Sequence, residues 1–240
     1  HLSFNEPTFG TWVFHTQGDT TKLFEHERFL VKAYDDWLAK EITLFLKRVL
    51  KRIDLTSRSL IALVEPGSCF AGFLLELVLA SDRSYMLDGT FENLDKPAPK
   101  LLPTEMNFGP MQMCNGLTRL ETRFLNQEEH VAGIESLIGQ ELDAEEALEL
   151  GLITFIPDDI DWEDEVRLAI EERSSFSPDA LTGMEASLRF PGPETIETKI
   201  FGRLSAWQNW IFQRPNAVGE EGALKLYGTG KQARFIKERV

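Results

Sequence analysis

A chain of 240 residues, 42% of them hydrophobic, can bury a sizeable core as one domain or as one domain with an extension. With 39 acidic against 25 basic side chains, a net charge of −14, duplex nucleic acid is excluded as an expected partner, because its recognition needs clustered Lys and Arg on phosphates. Cys69 and Cys114 are too few for a disulfide framework and have no metal-ligand spacing, and the longest apolar run is broken by Glu65, Pro66 and Glu76, so a cytoplasmic protein with neither a bound metal nor a membrane span is expected.

In chain order, Gly10 to His15 reads as a short strand through Trp12, Val13 and Phe14, with Gln17, Gly18 and Asp19 turning after it. Asp35 to Ile53 has the clearest helical period. Leu38, Ile42, Phe45, Leu46, Val49 and Ile53 recur at three- and four-residue spacing and predict a core-facing stripe, opposite a solvated face of Lys40, Glu41, Lys47, Arg48, Lys51 and Arg52. Leu60 to Val64 is a continuous apolar run of the kind a strand buried on both faces requires. Glu65, Pro66 and Gly67 end it, small residues occupy much of Ser68 to Gly72, and an apolar helix begins at Phe73 with Glu76 as its sole charge through Leu79. A helix N-terminus presents unpaired N–H groups and positive partial charge, so an oxyanion could sit at this turn. The Asp35 to Ile53 helix feeds this strand, giving a β-α-β unit expected to cross over right-handed, and with Asp82, Arg83 and a strand from Ser84 to Leu87 following, Leu60 to Val64 is expected as a central strand.

Asp88 to Pro99 is polar and Pro-containing, a surface loop. Asp143 is placed to cap a helix that turns Ala144, Ala147 and Leu148 inward, Gly151 to end it, and Leu152, Ile153, Phe155 and Ile156 to return as a strand. An acidic helix, Glu163 to Arg173, comes next. From Ser174 onward Pro178, Pro191, Pro193 and Pro215 punctuate short helical pieces, and the aromatic stretch Ile200 to Phe212 predicts docking on another surface, with Trp207 and Trp210 read as core. The division expected is therefore an α/β domain over 1–173 and a helical extension for docking or dimerisation over 174–240. His15, His26 and His130 fit no triad or metal spacing.

The order strand, turn, helix with an internal Glu, Ala-Ser-Asp and strand from Leu60 to Met86 resembles the crotonase (enoyl-CoA hydratase/isomerase) superfamily. Glu105 four residues before Gly109, Arg119 within Asn115 to Leu120, Gly139 to Ile153 and Glu220 to Phe235 extend the likeness. The runs Asp158 to Glu165, Ser177 to Thr195 and Ala206 to Lys225 are similar to the C-terminal half of the benzoyl-CoA-dihydrodiol lyase family. The resemblance implies an α/β crotonase-like fold of β-β-α units with an α-helical C-terminal extension. It implies no separate cofactor, coenzyme A being part of the substrate, and a parent that hydrolytically opens the ring of 2,3-epoxybenzoyl-CoA with release of formate in aerobic benzoate degradation. The implied partners are an N-terminal catalytic half of the parent chain, the parent's acyl-CoA substrate and a second copy in a homo-oligomer, taken as a dimer. This segment would lack that half and the opening strands of its own unit.

Carried onto this sequence, the family's catalytic carboxylates fall at Glu76 and Glu105, and its oxyanion and substrate-binding positions at Gly18, Asp19, Gly72 and Phe73. Chemistry beside a thioester passes through an enolate held by two N–H donors, roughly 3 to 4 kcal/mol each, while two carboxylates move protons. The register departs by one residue. Counting forward from Gly67 puts Gly72 at the donor position but Leu75 where the Glu belongs, whereas counting back from Asp82 places Glu76 correctly and Phe73 where a Gly belongs. One residue turns a helical side chain by about 100°, and Phe70 and Phe73 crowd a turn that glycines would keep open. These departures predict a scaffold and assembly half with weak or no acyl-CoA binding; the alternative is a self-sufficient hydratase/isomerase-type domain with its own acyl-CoA pocket.

Overall fold

A computed structural model describes residues 2–192 and 194–238. In chain order the elements are α1 (Leu2–Asn5), β1 (Thr11–Phe14), α2 (Thr20–Lys32), α3 (Trp37–Asp54), β2 (Ser59–Val64), β3 (Phe70–Ala71), α4 (Gly72–Ala80), β4 (Arg83–Met86) and β5 (Leu101–Leu102). A 3-10 turn at Glu105–Phe108 leads to α5 (Arg119–Arg123), α6 (Glu128–Glu135), α7 (Ala144–Glu149), α8 (Trp162–Ser175) and α9 (Pro178–Leu188). A π-helical segment, Thr198–Leu204, then runs into α10 (Ser205–Ile211), followed by α11 (Pro215–Val218) and α12 (Ala223–Leu226). Two compact units result: Val13–Asp54 with Leu60–Leu168, and the described residues of His1–Trp12, Leu55–Ser59 and Ala169–Val240.

In the first unit β2 is the middle strand of a sheet ordered β1-β2-β4, and all its residues are buried, as its apolar run predicts. It runs parallel to β4, Ile61 facing Arg83 and Val64 facing Met86, because α4 carries the chain back between them. Asp82 fixes the entry to β4: its N–H donates to the Leu60 carbonyl at 2.8 Å, and its Oδ2 accepts the Leu60 N–H at 2.7 Å. The strand expected over Leu152 to Ile156 reduces to a single bridge, Tyr85 with Phe155. A second, two-stranded parallel sheet pairs β3 with β5. Phe70, on β3, is fully buried in the main core with Val64, Leu75, Val78 and Leu120, so it packs away from the turn instead of crowding it.

Two helices differ from the sequence expectation. α3 buries Ala39, Thr43, Leu50 and Asp54, while Leu38, Ile42, Phe45 and Val49 are 51%, 40%, 59% and 42% exposed. The rotation goes with polar groups: Asp54 turns inward to a buried arginine, and the apolar stripe that flanks this face is left partly in solvent. Leu46 and Ile53 still pack, beside Leu50, Met106 and Met111. α2 has no sequence signal strong enough to predict it, yet Asp19 caps it, accepting the Lys22 N–H at 3.1 Å. α7 begins at the predicted Asp143 cap and ends at Gly151 in the left-handed region at φ +71, although Leu148 is 40% exposed instead of inward.

In the second unit α9 starts on a Ser177 cap with Pro178 in its first turn, where a missing N–H costs nothing. Glu185 on α9 receives Arg173 and pairs with Arg189 at 3.1 Å, and Arg189 also donates to the carbonyl of Arg58 at 2.6 Å. Trp207 and Trp210 meet edge to face at 5.3 Å. They are half-buried, and with Met184, Ile211 and Leu224 they line a groove of about 440 Å³, so they form a surface cleft where the sequence suggested core. No helix among the described residues is long and apolar enough to cross a membrane.

Candidate functional site

The turn between β2 and β3 is shaped by its own side chains. Ser68 Oγ accepts the Glu65 N–H at 2.9 Å, and the Ser68 N–H returns to the Glu65 carbonyl at 2.8 Å. Thr16 Oγ1 accepts the Cys69 N–H at 2.9 Å, which draws the loop carrying Gly18 alongside. The approach is close: a Cβ on Gly18 would lie 3.3 Å from that of Cys69. Gly18 and the turn leading to Gly72 are thus neighbours, whereas the Asp19 side chain is committed to capping α2.

A carboxylate that the sequence does not single out occupies the start of α4. Glu27, from α2, is 2% exposed. Its Oε1 accepts the Phe73 N–H at 2.6 Å and its Oε2 accepts the Thr104 hydroxyl at 2.6 Å. A Cβ on Gly72 would sit 1.9 and 2.0 Å from the two oxygens, and Gly72 has φ +48, so both the space and the backbone conformation call for glycine. Burial pushes the Glu27 carboxyl above its ordinary pKa, against the opposing pull of the Thr104 and Phe73 hydrogen bonds.

Glu76 lies one helical turn beyond Gly72 and is fully buried. The Asn107 side-chain amide spans the two, donating to the Gly72 carbonyl at 2.8 Å and to Glu76 Oε1 at 2.7 Å. Arg119 donates to Glu76 Oε2 at 2.6 Å and forks onto Asp54 at 3.0 and 2.6 Å. Burial raises the Glu76 pKa to about 7 in spite of Arg119 and Asn107. Burial also works against the Arg119 charge, but Glu76 and Asp54 outweigh it and hold that pKa above its ordinary value. Glu105, by contrast, is exposed at the first position of the 3-10 turn. The two sequence-selected carboxylates are therefore not both presented to one cavity: Glu76 is enclosed as an ion-pair partner and Glu105 is open to solvent. Asp54, Asn107 and Glu27 complete the cluster. Only the Thr104–Asn107 capping pattern leaves a trace of it in the sequence.

The fold can be compared with solved structures. An enoyl-CoA hydratase/isomerase from Marinobacter aquaeolei superposes with a TM-score of 0.65, covering 97% of this chain and 84% of that one at 17% identity. One from Cupriavidus metallidurans CH34 gives 0.64, covering 96% and 81% at 19% identity. The fold is the crotonase fold. In sequence, the chain is 53% identical over 241 residues to benzoyl-CoA-dihydrodiol lyase from Aromatoleum evansii, which it matches along its whole length while spanning 42% of that protein. No protein-family model matches it.

In this crotonase-fold chain the donors at α4 converge on a carboxylate already in place. A second cavity, of about 360 Å³, lies among Val31, Tyr34, Leu44, Lys47, Met106 and Pro110. Burial, then the nearby Lys51 charge, lowers the Lys47 pKa, and its Nζ donates to Gln112 Oε1 at 3.2 Å. Among the described residues no group of three or more His, Cys, Asp or Glu side chains could hold a metal ion. His15 lies 3.4 Å from Glu65, and His130 lies 3.0 Å from the Leu150 carbonyl with its ring against Phe124. Among the described residues the chemistry available at the start of α4 is anion stabilisation by N–H and O–H donors.

Proposed function

We propose that this chain is the C-terminal crotonase-fold part of a coenzyme A thioester lyase that hydrolytically opens the ring of 2,3-epoxybenzoyl-CoA in aerobic benzoate degradation. In this reading the segment is the scaffold and assembly half, and an N-terminal catalytic half of the same protein carries the chemistry. The whole-chain identity to a benzoyl-CoA-dihydrodiol lyase supports the activity of the parent. The scaffold role is carried by one observation: Glu76 is sealed between Arg119 and Asn107 while Glu105 faces solvent, so these two carboxylates are not presented as acid and base to one reacting carbon.

Coenzyme A enters only as part of the parent's substrate, and the setting is cytoplasmic. The outward stripe of Leu38, Ile42, Phe45 and Val49, and the groove around Trp207 and Trp210, are the surfaces that the catalytic half and a second copy would cover in a dimer. Calorimetric titration of this chain with benzoyl-CoA should give heat at the noise level, and Glu105→Ala in the full-length parent should leave turnover unchanged. Micromolar binding that is lost on Glu105→Ala or Glu76→Ala would replace this reading with a self-sufficient hydratase/isomerase-type domain.

A further inference from the structure

We propose that Glu27 is an intramolecular ligand, so that α2 acts as a built-in plug in an anion seat at the start of α4, and that the seat accepts a small external carboxylate once the Glu27 side chain is removed. This deepens the scaffold reading and rests on it in one respect, namely that the seat serves no turnover in this unit.

Four observations carry the inference. Glu27 is the one fully buried residue of α2, so the side chain this helix carries deepest is a carboxylate, while its apolar Leu30 is only partly covered. Burying a carboxylate is costly unless a favourable site is prepared for it. Among the described residues Glu27 makes no ion pair; its partners are the Phe73 N–H and the Thr104 hydroxyl. The buried Arg119 is spent on Glu76 and Asp54. The charge is therefore held by the positive end of α4 and by hydrogen-bond donors, which is how helix N-termini hold free anions. The donors are also oriented in advance, since Thr104 Oγ1 accepts the Met106 N–H at 3.2 Å and so turns its own proton to Glu27. Finally, the carboxylate comes closer to Gly72 than any side chain there would permit.

Replacing Glu27 by Ala deletes a CH₂–COO⁻ group, the atoms of acetate. The test is thermal unfolding of the full chain at pH 8 in sodium acetate and in sodium chloride of equal ionic strength, for wild type, Glu27→Ala and Glu27→Gln. Acetate at about 100 times its Kd should raise the Tm of Glu27→Ala by roughly 5 °C or more over chloride, with no difference for the other two proteins. A Glu27→Ala chain that folds only in acetate supports the proposal equally. An acetate effect no larger than that on wild type, or failure to fold in either salt, overturns it.

The Glu27→Gln protein gives a second reading that does not depend on the alanine variant folding. Its Phe73 amide proton, no longer bonded to a carboxylate, should move upfield in the NMR spectrum, and an unmoved resonance counts against the plug. Failure of the acetate test leaves the scaffold role standing. Benzoyl-CoA binding by the wild type would remove that role whatever acetate does.

Discussion

The polar cluster at the start of α4 and the groove of the C-terminal helices are resolved in opposite ways. At the start of α4 the polar side chains meet other parts of the chain: Glu27, Asp54, Glu76, Thr104, Asn107 and Arg119 are each between 0% and 3% exposed. Around Trp207 and Trp210 the lining is almost wholly apolar, and Leu224 is 51% exposed. A satisfied polar cluster holds one geometry, because opening it strands buried charge. An apolar groove has little directional preference and gains free energy from whatever covers it. The difference teaches that in this chain the polar cluster fixes structure and the apolar groove is the surface suited to association.

That contrast breaks most sharply at Arg119. Arg119→Met leaves Asp54 and Glu76 buried without their cation, and should destabilise the chain by about 3 to 5 kcal/mol in urea unfolding, or prevent folding. A loss below about 1 kcal/mol would show that the cluster is not what holds α3, α4 and α5 together.

A pH series sharpens the same point. The Glu76 pKa stands at about 7 in the fold against an ordinary 4.5, so between those values the folded chain binds a proton that the unfolded chain has released. Stability contributed by this group is therefore fully present below pH 4.5 and declines as pH rises through 7, by up to about 3 kcal/mol. Glu76→Gln should flatten that part of the stability curve between pH 4.5 and 7, and an unchanged slope would place Glu76 outside the titration.

The smallest effect on the chain itself belongs to the groove. Leu224→Ser should alter unfolding free energy by no more than about 0.5 kcal/mol, since the side chain is half in solvent. It should weaken association of the full-length parent in sedimentation velocity. Association unaffected by Leu224→Ser would show that the groove is not part of the assembly surface.

The sequence by itself determined the central strand, the turn after it, the helix carrying Glu76, and the Asp143-to-Gly151 helix with its cap and its stop. These rest on apolar continuity, glycine conformation and capping chemistry, all local enough to be read along the chain. The crotonase likeness was legible for the same reason. Only the tertiary structure decided what the buried carboxylates do. Periodicity sends Leu38, Ile42, Phe45 and Val49 of α3 inward, yet Asp54 turns inward to Arg119 and they are left partly in solvent. Nothing in the run from Thr20 to Lys32 announces that Glu27 would be buried against Phe73, 46 residues along the chain. A polar side chain enters a core only when donors from distant segments converge on it, and that convergence is a property of three dimensions that no local pattern contains.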